Sequence, residues 1–251
     1  MTTFLKANWE HIIMANYEIN PEILFPFLPK GVTLDLFEGK AYVSLVGFMF
    51  KKTKIFNMPI PWLGTFEEIN LRFYVKRKEG NIIKRGVVFI NETIPYQLVA
   101  WMANKLYKEH YTVVPTKHTF HKTEQNQQLK FEWLLNKKWN SILVETETQS
   151  KAMAPNSFEE FIYEHYYGYT KINEDATEEY HLQHPSWAVY KVNDYKINCR
   201  FSEMYGDAFS VLNQTRPTAV FLAKGSSVKV AWKRTRLNFH HERNQKTTLT
   251  Q

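Results

Sequence analysis

Hydrophobic and polar positions alternate most cleanly between Phe66 and Val75. Ile69, Leu71, Phe73 and Val75 fall on one face of an extended chain, and Glu68, Asn70, Arg72 and Tyr74 on the other. Lys78-Glu79-Gly80-Asn81 follows as a turn, with Gly80 free to take positive φ. Ile82–Ile90 is a β-branched apolar run broken by Lys84 and Arg85-Gly86, and Pro95, lacking an N–H, ends strand pairing. The pattern predicts an antiparallel hairpin of residues 66–75 and 82–91. One of its faces carries a carboxylate, an amide and a guanidinium at every second residue. That row is either solvated surface or the lining of an interior.

The remaining chain reads in the same way. A strand is expected over 9–19, then a short helix with Asn20 as N-cap, Pro21 at its first position and Pro29-Lys30-Gly31 at its close. Val32–Phe37, a Glu38-Gly39 turn and Lys40–Phe50 form a second hairpin. Residues 51–65, with Met58, Pro59, Pro61 and Trp62, read as an apolar loop that covers the core or lids a pocket. Leu98, Val99, Met102 and Leu106 recur at helical spacing within Tyr96–Tyr107. Strands follow at 117–123, 128–135 and 140–149, then a helix from the Ser157-Phe-Glu-Glu160 capping box to about Tyr166. Thr170–Thr177 reads as a turn, 187–192 as a strand, Asn193-Asp194 as a turn, and the chain to about Phe201 as a strand. A short helix near 203–212 and strands at 218–223 and 227–235 complete the pattern. The polar, aperiodic stretch 240–251 is expected to be disordered. No linker or repeat divides the rest, so residues 1–239 are expected to form one α+β domain, mostly antiparallel strands with a few short helices.

Composition sharpens this picture at three points. Aromatic residues make up 16% of 251, which suits pleated surfaces. Cys199 stands alone, so no intramolecular disulfide forms, and it reads as a buried, inert thiol. With no signal peptide pattern and no run of the ~20 apolar residues a spanning helix needs, a cytosolic chain without membrane contact is expected. The net charge of +7 is spread over small groups such as Lys76-Arg77-Lys78 and Lys233-Arg234-Thr235-Arg236 at expected strand ends, which argues against nucleic-acid binding.

Few residue patterns carry chemistry. Nine histidines are scattered; His118 and His121 would point to opposite faces of a strand, so no metal site is expected. Glycine-rich phosphate loops and nucleophile elbows are absent, and no cofactor is expected. The row Glu68, Asn70 and Arg72 remains, with Arg85 and Glu92 on the partner strand and His165 and, more weakly, Tyr167 and His184 as further candidates. An inward Arg beside an amide suits a carboxylate or other small acidic ligand. A structural Arg–Glu pair is the competing reading.

The runs NYEINPEILFPFLPKGVTLDLFEGKAYVSLVGFMF, FEEINLRFYV, KRGVVFINE, FEEFIYEHY and HPSWAVYKV resemble, in order, blocks of the YqjF-like family of bacterial proteins of unassigned function. The resemblance covers residues 5–236. That family is similar to the acetoacetate decarboxylase superfamily, which implies a closed, largely antiparallel β-barrel with flanking helices and an internal polar cavity. The superfamily's enzyme forms a Schiff base through a lysine whose pKa an adjacent lysine depresses. Here Tyr96-Gln97 stands at that lysine pair and Glu18 near the superfamily's early arginine, so decarboxylation is not expected to carry over. The first expectation is therefore a pocket for a small acidic or carbonyl-bearing molecule, with Glu68, Asn70, Arg72, Arg85, Glu92 and His165 as ligand contacts. A lyase or hydrolase acting in that pocket is the second, and a protein-interaction module using the apolar 55–63 loop the third. A homo-oligomer is compatible with the sequence.

Overall fold

Long alternating stretches form strands because each can bury one row of side chains while its backbone groups pair laterally. The computed structural model describes residues 2–59, 64–97 and 111–239. Its strands are β1 (Thr3–Ile19), β2 (Thr33–Leu34), β3 (Ala41–Ile55), β4 (Met58–Pro59), β5 (Phe66–Glu79), β6 (Ile82–Ile94) and β7 (Tyr111–Val113). They continue with β8 (Thr116–Lys122), β9 (Asn126–Leu135), β10 (Lys138–Ala152), β11 (Tyr167–Asn173), β12 (Ala176–Gln183), β13 (Ala188–Asn198) and β14 (Ala219–Asn238). Helices are few and short: α1 (Phe158–Tyr163), α2 (Phe201–Tyr205) and 3-10 turns at Pro21–Ile23, Phe25–Phe27 and Asp207–Asn213. The fold is thus α+β and mostly strand.

The strands form a circuit. β1, β3, β5, β6, β11, β12 and β14 are neighbours in that order, and β14 pairs again with β1 from Thr3↔Ala231 to Asn16↔Ala219. These pairings are antiparallel except β6–β11, which is parallel and only two residues long, Tyr167↔Gly86 and Gly168↔Val87. A second layer, β13, β10, β9 and β8, leaves β14 and folds over the outside of the circuit. Pleating sends alternate side chains of β1, β3, β5 and β6 into two separate cores. Ile69, Leu71, Phe73 and Val75 pack with Phe131, Trp133, Ile142 and Val144 of the second layer. Phe66 and Tyr74 face the circuit's interior with Met14, Val46, Phe48, Phe50, Phe161, Ile162 and Tyr163.

The predicted hairpin forms, with Val75↔Gly86 and Glu79↔Ile82 in register across the Gly80 turn, where φ is +59°. Asn20 accepts from Glu22 N as an N-cap, but the short helix it starts is two 3-10 turns. Residues 51–55 are strand rather than loop. Thr170–Thr177 is mostly strand, since only residues 174 and 175 turn; Thr170 and Thr177 look polar but are buried, and Thr177 Oγ1 donates to Lys30 O at 2.8 Å. Asn193 does not end a strand: Glu145 pairs with Asp194 and Thr146 with Val192, so Asn193 is the extra residue of a bulge. The two expected final strands are one, because Gly225 takes φ +80° and passes so close to β1 that a Cβ would meet Trp9 O at 2.0 Å. The helix expected over 96–107 lies, apart from Tyr96 and Gln97, outside the described residues, as do residues 240–251. No described helix is long and apolar enough to cross a membrane.

Candidate functional site

The inward face of β5 runs Phe66, Glu68, Asn70, Arg72, Tyr74. Glu68 and Asn70 are 3% and 2% exposed. Directly opposite on β3 stand Phe50, Phe48, Val46 and Ser44. The same parity on β6 is set by a bulge. Arg72 pairs with Phe89 but Leu71 with Asn91, so Ile90 is inserted and the strand changes phase there. Phe89 therefore faces inward, and so does Glu92, three residues on and opposite Asn70. Without the extra residue Glu92 would point at the outer core.

These side chains line a cavity of about 120 Å³. Trp9, Phe48, Phe50, Phe66 and Phe89 form its aromatic wall, and its polar lining includes Thr53, Glu68, Asn70, Arg72, Glu92 and Arg234. Asn70 Nδ2 donates to Glu68 Oε1 at 3.0 Å, and Tyr111 Oη donates to Glu92 Oε1 at 2.8 Å. Because a carboxylate only accepts, the first bond fixes the amide orientation and leaves Asn70 Oδ1 as the acceptor pointing away. Asn70 Oδ1, Arg72 Nε, Trp9 Nε1 and Thr53 Oγ1, all on lining residues, are buried and meet no hydrogen-bond partner among the described residues. Arg72 makes two long contacts, Nη2 to Met14 Sδ at 3.5 Å and to Ile162 O at 3.4 Å, and lies 5.6 Å from the Tyr74 ring centroid. Among the described residues no carboxylate pairs with it within 4 Å. The structural Arg–Glu pair expected as the competing reading is not formed there.

α1 stands behind Arg72 as a plug, with Ile162 O 3.4 Å from Arg72 Nη2. Ser157 Oγ accepts from Glu160 N at 3.2 Å, half of the expected capping box. The Glu160 carboxylate returns to Asn156 N rather than to Ser157 N. Phe161, Ile162 and Tyr163 enter the circuit, and Tyr163 Oη donates to Ile12 O.

Beyond this plug lies a second polar cluster, which takes Arg85 and His165 away from the cavity. Asp35 accepts from Arg85 Nε at 2.6 Å and His165 Nε2 at 3.3 Å, and pairs with Lys76 Nζ at 3.2 Å. Lys76 opposite Arg85 places both past Tyr74, on the far side of α1 from Asn70. The His165 side chain is 1% exposed, between the rings of Tyr74 and Phe161. Burial pulls its pKa down to about 4, and the charges of Arg85 and Arg72 add to this against the Asp35 hydrogen bond. The neutral ring donates through Nε2, and Nδ1 is left bare. Burial alone would raise the Asp35 carboxyl, but hydrogen bonds from His165 and Arg85 outweigh it and hold the group well below the usual carboxylate range. Asp35 escaped the sequence reading because it lies in irregular chain after β2.

Other singled-out residues are accounted for elsewhere. Cys199 is partly buried rather than fully so, and the desolvation of its thiol pushes the pKa up. His118 bonds Glu67, and no cluster of three metal-ligating side chains occurs among the described residues. His184 stacks on Trp187 at 4.0 Å, and Tyr167 pairs with Gly86 on β11. Lys84, on the partner strand β6, bonds Glu179 at 2.6 Å and Glu79 at 2.7 Å. Burial lowers its pKa, but those two carboxylates prevail and raise it, so its amine stays protonated. Glu18 is exposed and pairs with Lys40. Met58, two thirds exposed, covers no core.

Comparison with known proteins agrees with this architecture. A stretch of 95 residues is 28% identical to the uncharacterized protein YqjF of Bacillus subtilis strain 168, spanning 38% of each chain. An acetoacetate decarboxylase-like enzyme from Sphingomonas wittichii RW1 superposes with a TM-score of 0.64 at 10% identity, over 96% of this chain and 95% of that one. The enduracididine biosynthesis enzyme MppR, in complex with a condensation product of pyruvate and imidazole 4-carboxaldehyde, gives 0.64 at 11%, over 95% and 91%. The acetoacetate decarboxylase of Legionella pneumophila gives 0.58 at 8%, over 95% and 88%. The family model DUF2071, an uncharacterized conserved protein, matches residues 6–227, and with most of its length inside that match the chain belongs to this family, built on the acetoacetate decarboxylase-like fold.

Proposed function

We propose that the circuit of strands acts as a barrel whose interior binds one small carboxylate- or carbonyl-bearing molecule. Arg72 carries the reading: it is half-buried, its Nε is buried without a partner, and a guanidinium with no counter-ion among the described residues is costly unless a ligand supplies the anion. In this reading Arg72 holds the anionic or carbonyl oxygen, Asn70 Oδ1 accepts from a hydroxyl, amine or enol, and Glu68 and Glu92 orient it. The cavity of about 120 Å³ suits a molecule no larger than benzene, which a cavity of ~150 Å³ holds. Three of the structural neighbours are MppR complexes, one with pyruvate, one with a pyruvate condensation product and one with HEPES buffer, and the first two are support by fold likeness. Tyr96-Gln97 at the position of the superfamily's lysine pair favours binding, or acid–base work by Glu68, over imine chemistry.

Titration calorimetry with pyruvate and acetoacetate, together with native mass spectrometry of freshly purified protein, tests this. Arg72→Ala removes a charged hydrogen bond of about 1.5–3 kcal/mol and should weaken binding roughly 10- to 100-fold with the fold intact. Absence of both a co-purifying small acid and of binding by either probe would refute the proposal.

A further inference from the structure

The circuit has one thin place. Pairing between β6 and β11 stops at Val87↔Gly168, and pairing of β6 with β7 begins only at Glu92↔Tyr111. Between those points β6 and β11 diverge, and a lateral cleft of about 260 Å³ opens, lined by Pro26, Phe27, Val88, Phe89, Tyr169 and Ile172 with polar neighbours at its rim. Among the described residues Phe89 alone lines both this cleft and the Arg72 cavity. It stands directly opposite Arg72 in the β5–β6 pairing, on the residue before the inserted Ile90. Its ring belongs to the inner aromatic wall yet stays partly exposed.

We infer that Phe89 is a specificity-determining partition: it closes the Arg72 cavity on the cleft side and so sets the greatest length of ligand that can anchor on Arg72. The inference rests on the proposed anion-binding role of that cavity. An acid held by its carboxylate at Arg72 and directed across β6 toward β11 would meet the Phe89 ring after a few heavy atoms. Removing the ring joins a space of about 120 Å³ to one of about 260 Å³ whose near walls, Phe27, Val88 and Tyr169, are apolar. The class of molecule excluded is a 2-oxo acid with an extended alkyl tail, since its head matches Arg72 and its tail matches those walls.

The experiment compares pyruvate with 2-oxooctanoate on wild-type protein, Phe89→Ala and the milder Phe89→Leu by titration calorimetry. Wild type should favour pyruvate at least tenfold. Phe89→Ala should shift the preference between the two acids at least tenfold toward 2-oxooctanoate, with Phe89→Leu between. A folded Phe89→Ala that binds pyruvate but gains nothing for the long acid overturns the partition and leaves the binding reading standing. Failure of wild type to bind either acid counts against the binding reading, and the partition is then read without acids in xenon-pressurised crystals. Continuous xenon density from cavity to cleft in Phe89→Ala, against separate sites in wild type, supports it. Separate sites in both overturn it.

Discussion

His165 should give the protein a measurable loss of stability between pH 7.5 and pH 5, and the size of that loss follows from its surroundings. The ring is enclosed by Tyr74, Phe161, Asp35 and Arg85, and its pKa falls from the ordinary 6.5 to about 4. In the unfolded chain it takes up a proton as pH drops through 6.5, while in the folded protein it resists until near 4. The unfolded state therefore binds more protons in that window, and stability falls as pH falls. For these two values the difference between pH 7.5 and pH 5 is about 2 kcal/mol, which for a chain of this size lowers Tm by roughly 4–8 °C. His11, His181 and His184 also have lowered pKa values and add to the total, so the test is differential. His165→Phe keeps an aromatic ring against Tyr74 and Phe161, and Asp35 retains Arg85 and Lys76. The variant should be less stable than wild type at pH 7.5, and the gap should shrink by about 2 kcal/mol at pH 5, read by urea unfolding at both pH values. Asp35, whose carboxyl is held low, is ionised throughout this range and does not blur the comparison. Parallel pH profiles for the two proteins would refute a buried neutral His165.

Gly225→Ala should destabilise the fold by several kcal/mol and lower Tm in calorimetry, because its φ of +80° and the 2.0 Å approach to Trp9 O leave no place for a methyl group; an unchanged Tm would mean that β14 slides freely on β1. Ser157→Ala should cost about 1 kcal/mol in urea denaturation through loss of the cap on α1, and should loosen the plug under Arg72. Borohydride reduction with acetoacetate should yield no covalent adduct by intact-protein mass, because Lys84 is held protonated by Glu79 and Glu179 and, on the sequence resemblance, Tyr96-Gln97 stands where the superfamily has its lysine pair. Lys105 and Lys108 lie outside the described residues, and an adduct mapped to either, or to any lysine, would reverse the conclusion.

The sequence made the row Glu68, Asn70, Arg72 legible because β5 is regular from end to end, and strict alternation separates an outer apolar row from an inner mixed one. It did not make the neighbours of that row legible. Glu92 reaches the same interior only through the Ile90 insertion, and a bulge leaves no pattern in a run as uniformly apolar as Val87–Ile90. Arg85 looked like a member of the row because it is charged and stands on the partner strand, and His165 because it is a histidine near the end of the expected 157–166 helix. Their partner, Asp35, stands in irregular chain with no periodicity to betray it. The aromatic wall was within reach: Phe48 and Phe50 share a parity on β3 that matches Phe66 and Glu68 once the two strands are paired. Polar composition misled at Thr170–Thr177, where the strands bury Thr170 and Thr177 instead of exposing them.

The pairing of β1 with β14 sets a clock on the synthesis of this protein. β1 is completed by β14, with partners more than 200 residues apart. At a translation rate of ~5–20 residues per second, β1 emerges and waits about 10–40 s before β14 exists. During that time β3, β5 and β6 can join β1, since each follows its partner closely, but the face bearing Trp9, Phe48, Phe50 and Phe66 has no opposite wall. A half-made chain thus displays an open, sticky aromatic trough flanked by unpaired edge backbone, the kind of surface that chaperones hold and that sticks to its own copies. Closure is a late, long-range event, so refolding should be slow for the chain length and should yield less as protein concentration rises.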